Sequence, residues 1–503
     1  MQPPNILYLM TDQQRFDTLA ALGNPILYTP NLDRLVQRGI AFNNAYASCP
    51  VCVPARYNIR TGCEPPRIGV FSNGPFDLVP GQAEDIEERC GPFLARRMGQ
   101  LGYRTFGIGK FHSAHRDLGY EVFFRAEELF GSPEERATDA FAAFIAREHP
   151  EFDFIEQLHG ERTEMYYMPQ TSPLPAEITY EAWAADRAIE QIQRADPRPW
   201  FGFVSFIGPH PPFAPPIPYN RLYDPDRMPN PVCGDLETDH ADEQIPWMNY
   251  LIWGDDIEPA RARCLKARYY GEITYIDACI GRILDAVEAR PDADNTLICF
   301  FSDHGEMLGD HHAWQKECFF EASCHIPFLL SWPARFAGNQ RREELVSLTD
   351  LFAIATGAAG SLEVREGLDV LGMLDGRESP RDFYVGMYEV PGSPWFKCMV
   401  RWREWKYIFM ANGGREQLFN VAEDPHELRN RLADRAEVAE ELRACASYAL
   451  QVPNADRALE KGRLKSFPFR SRPFQRIYQM DLSRGVRGFP EHPAEGLKAR
   501  PFK

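Results

Sequence analysis

Four strand-length runs limit what this chain can fold into. Asn5 to Met10, Tyr103 to Ile108, Trp200 to Phe206 and Asn295 to Phe301 are dominated by apolar residues, with no polar–apolar alternation. Such runs are buried on both faces, the habit of strands in a parallel sheet covered by helices on either side. Helical patterns separate them. Thr29-Pro30-Asn31-Leu32-Asp33-Arg34-Leu35-Val36 opens a helix, with Thr29 as N-cap and Pro30 at the first helical position, and Gly39 ends it. An amphipathic stretch around Ile273 to Val287 predicts a long helix before the fourth run. The expected fold class is α/β: a large, mostly parallel or mixed sheet sandwiched by helices. Sites in such folds lie at the carboxyl ends of strands. Asp12, Lys110, His210 and Asp303 each follow one of the four runs.

Near residue 380 the pattern changes. Phe383 to Met387, Phe396 to Arg401, Lys406 to Ala411 and Glu416 to Asn420 are short runs with tight connections, and Val438 to Leu450 reads as a helix. They predict a small antiparallel sheet with a helix packed on it. The expected division is therefore 1–378 for a catalytic α/β domain, 379–453 for a small α+β unit and 454–503 for a basic tail. A chain of 503 residues exceeds one simple core. From Arg457 to Lys503 there are 12 Lys/Arg against 4 Asp/Glu, on a chain whose net charge is −17. A basic tail on an acidic body is expected to dock on its own body or a neighbouring subunit, and so to form a homo-oligomer. The acidic body argues against nucleic acid as a partner. No apolar run is long enough to span a membrane, and no basic leader with a small-residue cleavage site precedes Asn5; a cytoplasmic location is the expectation. Twelve cysteines are too dilute for a disulfide scaffold.

Three constellations carry chemistry. In Cys52-Val53-Pro54-Ala55-Arg56, followed by Thr61-Gly62, Pro54 suits the first turn of a helix and Gly62 its stop. Cys52 then sits at a helix N-terminus, where backbone N–H groups favour an anion, and Arg56 points at the same spot one turn later. Cys49 and Cys52 also form a CxxC, which leaves a redox pair or half a zinc site open as the minor alternative; no second CxxC exists. Ser302-Asp303-His304-Gly305-Glu306 supplies a carboxylate and an imidazole, and Asp12-Gln13 a carboxylate and a carbonyl, together an oxygen-rich cage for a divalent cation. Lys110, His112, His210 and Lys316 add cations and imidazoles suited to a tetrahedral anion.

These motifs, in this order, resemble the sulfatase family of the alkaline-phosphatase-like superfamily: an Asp after the first strand, TPNLDRL, CVPAR with TG, GKFH, SFIGPHPPF, SDHGEMLGDH, WQK and a late LFNVAEDPHELRN, spanning roughly residues 5–432. The resemblance implies that a maturation enzyme oxidises Cys52 to formylglycine, whose hydrate carries two hydroxyls on one carbon. It implies metal ligands Asp12, Gln13, Asp303, His304 and the modified Cys52. Calcium is the first choice, with manganese and magnesium also compatible. Arg56 would fix the hydrate, and Lys110 and Lys316 would hold sulfate oxygens. His112 and His210 would move protons, and Asn73 would touch the sulfate. Two positions depart from a common family pattern: Gln13 where many members have Asp, and His304 where many have Asn. The implied reaction is hydrolysis of a small-molecule sulfate monoester. The alternative is a phosphonate monoester or phosphodiester hydrolase of the same superfamily, in which the Lys110-x-His112 pair tends to be missing. The segments Glu127 to Pro175 and Asp235 to Asp256, with Tyr166, Tyr167, Trp247, Trp253, Asp255 and Asp256, are expected to build the pocket rim.

Overall fold

The structure is a computed structural model that describes residues 2–73, 85–130, 132–162, 166–239, 241–243, 245 and 257–471. Its centre is an eight-stranded sheet of β1 (Asn5–Thr11), β2 (Ile40–Tyr46), β3 (Arg104–Gly109), β4 (Val122–Arg125), β5 (Trp200–Ser205), β6 (Thr296–Ser302), β7 (Phe328–Ser331) and β8 (Gln340–Ser347). The order is β4-β3-β5-β1-β6-β7-β2-β8. Only β7 runs against its neighbours. The four apolar runs became β1, β3, β5 and β6, each buried along its whole length.

Burial on both faces follows from the side chains. Ile6, Tyr8 and Met10 of β1 join one core, with Ile59, Met98 and Phe352 from the helices Cys52–Thr61, Leu94–Gln100 and Asp350–Ala358. Leu7 and Leu9 join the other, with Leu35, Trp183 and Ile280 from the helices Pro30–Arg38, Tyr180–Gln193 and Pro259–Glu288. The last of these extends well before the expected stretch, because its first two turns, rich in Arg, hide the apolar period. Strands β2, β4, β7 and β8 lay outside the four runs. β4 and β7 are only four residues long, and β8 is an edge strand with polar Gln340-Arg341-Arg342-Glu343-Glu344.

The register sets the site. Met10 and Gly109 both pair with Ser205, and Thr11 pairs with Ser302. The residues that follow β1, β3, β5 and β6 therefore leave the sheet side by side at one edge.

A second, antiparallel sheet holds β9 (Phe383–Tyr388), β10 (Lys397–Trp402), β11 (Trp405–Met410) and β12 (Arg415–Asn420) in the order β12-β11-β10-β9. The helix Ala436–Ala449 lays Ala439, Leu442 and Ala446 on Cys398, Val400 and Tyr407. The described part of the basic tail docks on this same small sheet: Gly413 N–H donates to the Phe467 carbonyl at 2.9 Å, and the Phe467 ring joins the core beneath. The rest of the tail, and with it the expected contact between subunits, lies outside the described residues. Among the described residues no helix is long and apolar enough to cross a membrane. All twelve cysteines are free thiols and nine are buried, in keeping with the absence of a disulfide scaffold.

Candidate active site

Cys52 opens the helix Cys52–Thr61, Pro54 lies in its first turn, and Gly62 ends it in the left-handed conformation at φ 64°. No side chain of the preceding residue caps this helix; Asn73 Oδ1 accepts from Val53 N–H at 2.8 Å instead. Asn73, expected as a sulfate contact, is thus seen holding the helix start that presents Cys52. The thiol of Cys49 donates to the Phe71 carbonyl at 3.3 Å, and Cys49 and Cys52 are both free thiols, of which Cys52 joins the cluster described next.

Asp12, Cys52, Asp303 and His304 converge. Their ligand atoms all lie within 4.8 Å of one another, and all four residues are buried. Cys52 Sγ is 3.1 Å from His304 Nε2. Hydrogen bonds tie both carboxylates down. Asp12 Oδ2 accepts from Arg56 Nη2 at 2.8 Å and from Lys110 Nζ at 2.6 Å. Asp303 Oδ2 accepts from Arg56 Nε at 3.0 Å, while its Oδ1 takes the backbone N–H groups of Gln13 and His304. His304 Nδ1 is 3.0 Å from the Gly305 carbonyl, which sets the lone pair on Nε2, toward the centre. Two carboxylates and an imidazole oriented in this way fit a hard divalent cation. Burial works against the charge of Asp12, but Lys110, His210 and Arg56 hold its carboxyl well below the usual range. Gln13, expected as a further ligand, stands beside the cluster; its amide oxygen accepts from Lys316 Nζ and its amide nitrogen donates to Glu306.

The cations and imidazoles named from the sequence stand beside this cluster. Lys110 leaves β3, and Arg56 Nη1 donates to Ser205 Oγ at 3.1 Å and to the Lys110 carbonyl. Burial pushes the His112 imidazole down, and the neighbouring Cys52 works against that. The His112 backbone N–H donates to Glu127 at 3.0 Å. His210 follows β5, and its Nδ1 is 2.7 Å from the Pro211 carbonyl.

Sequence reasoning missed three partners. Glu128 and Arg162 stand among the cations, and the buried Glu306 anchors the loop after β6 by accepting from Tyr167 Oη, Leu308 N–H and Gln315 N–H. Glu306 was visible in its motif, but Glu128 follows a strand too short to read. Tyr166 and Tyr167, expected on the rim, are instead buried at 1% and 0% exposure, because their hydroxyls serve Arg162 and Glu306. Trp247, Trp253, Asp255 and Asp256 lie outside the described residues.

Solved structures show the same architecture elsewhere. The phosphonate monoester hydrolase of Agrobacterium radiobacter superposes with a TM-score of 0.72 at 26% identity, covering 87% of this chain and 94% of that one. The fold and its edge-mounted site are those of an alkaline-phosphatase-like hydrolase. Residues 4–361 match the family model described as Sulfatase, and residues 309–447 that of the N-sulphoglucosamine sulphohydrolase C-terminal region. The chain belongs to the sulfatase family, and so to the sulfuric ester hydrolases. An arylsulfatase of Clostridium perfringens is 29% identical over 452 residues, 85% of this chain and 90% of that protein. A choline-sulfatase of Rhizobium meliloti is 29% identical over 453 residues, 85% and 82% of the two chains.

Proposed function

We propose that this chain hydrolyses small-molecule sulfate monoesters, releasing an alcohol or phenol and inorganic sulfate, through a formylglycine made from Cys52 beside one divalent metal ion, calcium by first choice. The position of Cys52 carries the reading: it opens a helix, has Arg56 one turn later, and faces Asp12, Asp303 and His304. The metal, held by Asp12, Asp303, His304 and residue 52, would neutralise sulfate oxygens and acidify the attacking hydroxyl.

The chain's own residues do the rest. Arg56 orients the side chain at residue 52, and Lys110 and Lys316 hold sulfate oxygens where charge grows in the transition state. His210 gives a proton to the departing oxygen. His112, beside residue 52, withdraws the proton whose loss lets sulfate leave. A plain serine or thiol could not release sulfate in this way, because it has no second hydroxyl to collapse. The reading requires a formylglycine-generating maturation enzyme as partner. A cytoplasmic location and a homo-oligomer formed through the tail belong to the same proposal.

A second reading, phosphonate monoester or phosphodiester hydrolysis, draws support from the likeness to the Agrobacterium enzyme. The Lys110-x-His112 pair favours sulfate. Two measurements test the proposal. Mass spectrometry of the tryptic peptide holding Cys52 should show the thiol replaced by an aldehyde or its hydrate; full activity with an intact thiol would refute it. The kcat/KM for nitrophenyl sulfate should exceed that for a phenyl phosphonate ester, and the reverse order would install the second reading.

A further inference from the structure

Glu128 is a buried carboxylate to which the sulfatase reading assigns no task. Adjacent strands bring it to the site. β4 pairs in parallel with β3, Gly109 opposite Arg125, and Ala126 N–H donates to the Gly109 carbonyl at 3.0 Å. The residues after β4 therefore lie beside Lys110, and β3 in turn borders β5, which leads to His210. One oxygen, Glu128 Oε2, lies 2.8 Å from Lys110 Nζ, 3.3 Å from His210 Nδ1 and 3.4 Å from Arg162 Nη1. Its side chain is 9% exposed, and Arg162 and Lys110 beside it are 1% and 0% exposed.

We infer that Glu128 is a positioning residue for His210: it holds the imidazole by Nδ1, so that Nε2 presents a proton to the departing oxygen of the substrate. The inference rests on His210 being the leaving-group acid. His210 Nδ1 lies 2.7 Å from the Pro211 carbonyl, its hydrogen-bond partner, and 3.3 Å from Glu128 Oε2. As an imidazolium the ring turns its Nδ1–H toward these two oxygens, and the proton on Nε2 is the one it can give. In the reaction the sulfur–oxygen bond breaks with its electron pair going to oxygen. The Nε2 proton moves to that oxygen, and the ring returns neutral with Nδ1–H still bound. Glu128 takes no proton itself. This is the arrangement by which a buried carboxylate orients a catalytic imidazole and stabilises its charged form.

The electrostatics show what this carboxylate works against, since the net push on His210 is toward the neutral ring. Burial pushes the His210 imidazole well down and the nearby Lys316 and Lys110 push it further; Glu128 is the foremost group opposing them. Burial likewise disfavours the Glu128 carboxylate, but Arg162, His210 and Lys110 hold it ionised. Arg162 thus keeps charged the group that serves His210.

The test uses the mature, metal-loaded enzyme, a leaving-group series and a double-mutant cycle. Loss of an orienting partner typically costs roughly 10–100-fold. Glu128→Gln should lower kcat/KM by about that factor on alkyl sulfates and by less than about 3-fold on nitrophenyl sulfate, whose oxygen needs little protonation. On the alkyl esters, adding Glu128→Gln to His210→Ala should cost almost nothing further, because the group it acts through is gone. Equal losses on every ester with a raised KM would overturn the inference and assign Glu128 to Lys110 and the sulfate. So would additive losses in the double variant, or no loss at all. If the wild type turns over phosphonate rather than sulfate esters, the same series is run on phosphonates, since the departing oxygen is the same. Absence of wild-type turnover on both series overturns the functional reading and the role of Glu128 with it. Wild-type turnover with an unchanged leaving-group slope overturns Glu128 alone.

Discussion

Two of the buried ionic clusters among the described residues are built on opposite plans. One is the active site. The other lies between the two sheets, where Lys406 of β11 pairs with Glu321 at 2.8 Å and with Glu427. Glu427 accepts from the Glu321 N–H at 2.6 Å, Tyr46 of β2 donates to Glu321 at 3.1 Å, and Arg401 of β10 donates to Tyr46 at 2.9 Å. In this junction charges are turned toward opposite charges or donors. In the active site Arg56 and Lys110 pair the carboxylates, and the ligand atoms of Asp12, Cys52, Asp303 and His304 still lie within 4.8 Å of one another. A cluster satisfied within itself ties two sheets together. One whose ligand atoms converge is arranged for something not supplied by the chain.

That contrast can be broken by substitution. The largest effect should come from Cys52→Ala, which removes the nucleophile. Turnover of nitrophenyl sulfate should fall on the order of 10⁴-fold or more. Stability, read by urea denaturation, should change by no more than about 1 kcal/mol, since one small buried atom is lost. A protein that unfolds instead would make the active site a structural cluster like the junction.

Asp303→Ala should remove metal and activity together. Loss of a carboxylate ligand should exceed the roughly 10–100-fold penalty typical of a supporting partner. Elemental analysis of the dialysed variant reads this directly, and full metal content with full activity would exclude Asp303 as a ligand.

The two histidines should fail differently. His210→Ala should cost about 10²–10⁴-fold on alkyl sulfates and much less on nitrophenyl sulfate. His112→Ala should slow every ester toward one common rate and let a covalent sulfate adduct on residue 52 build up, visible by intact-protein mass spectrometry after quenching. Adduct accumulation in the His210 variant would exchange the two roles.

The smallest effect on chemistry should come from Lys406→Met. Stranding Glu321 and Glu427 without their cation should destabilise the fold by about 3–5 kcal/mol. The kcat of the molecules that remain folded should hold. A comparable loss of kcat would show that the junction reaches the site, and the two plans would not be separate.

Much of the site was legible because parallel α/β sheets place function after strands, and Asp12, Lys110, His210 and Asp303 follow runs whose apolar content no loop would carry. The CVPAR run was legible from helix-terminus chemistry. The same reasoning stopped at β4, at the polar edge strand β8 and at the partly polar β2, where apolar patterning is too weak to register. It mistook Tyr166 and Tyr167 for rim residues, since a tyrosine in a long connection gives no sign of whether its hydroxyl finds a buried partner.

By itself the sequence determined which residues could do chemistry and on which kind of scaffold, because strand burial, helix starts and ligand types are local properties of a few neighbouring residues. Only the tertiary structure decided how their atoms face. Asp12 meets Arg56 and Lys110 because β1, β5 and β3 are neighbours in register. Glu128 reaches His210 because β4 closes the edge beside β3. Lys406 finds Glu321 across two sheets. Strand order and register are set by how the whole chain packs, and no short stretch of sequence carries them.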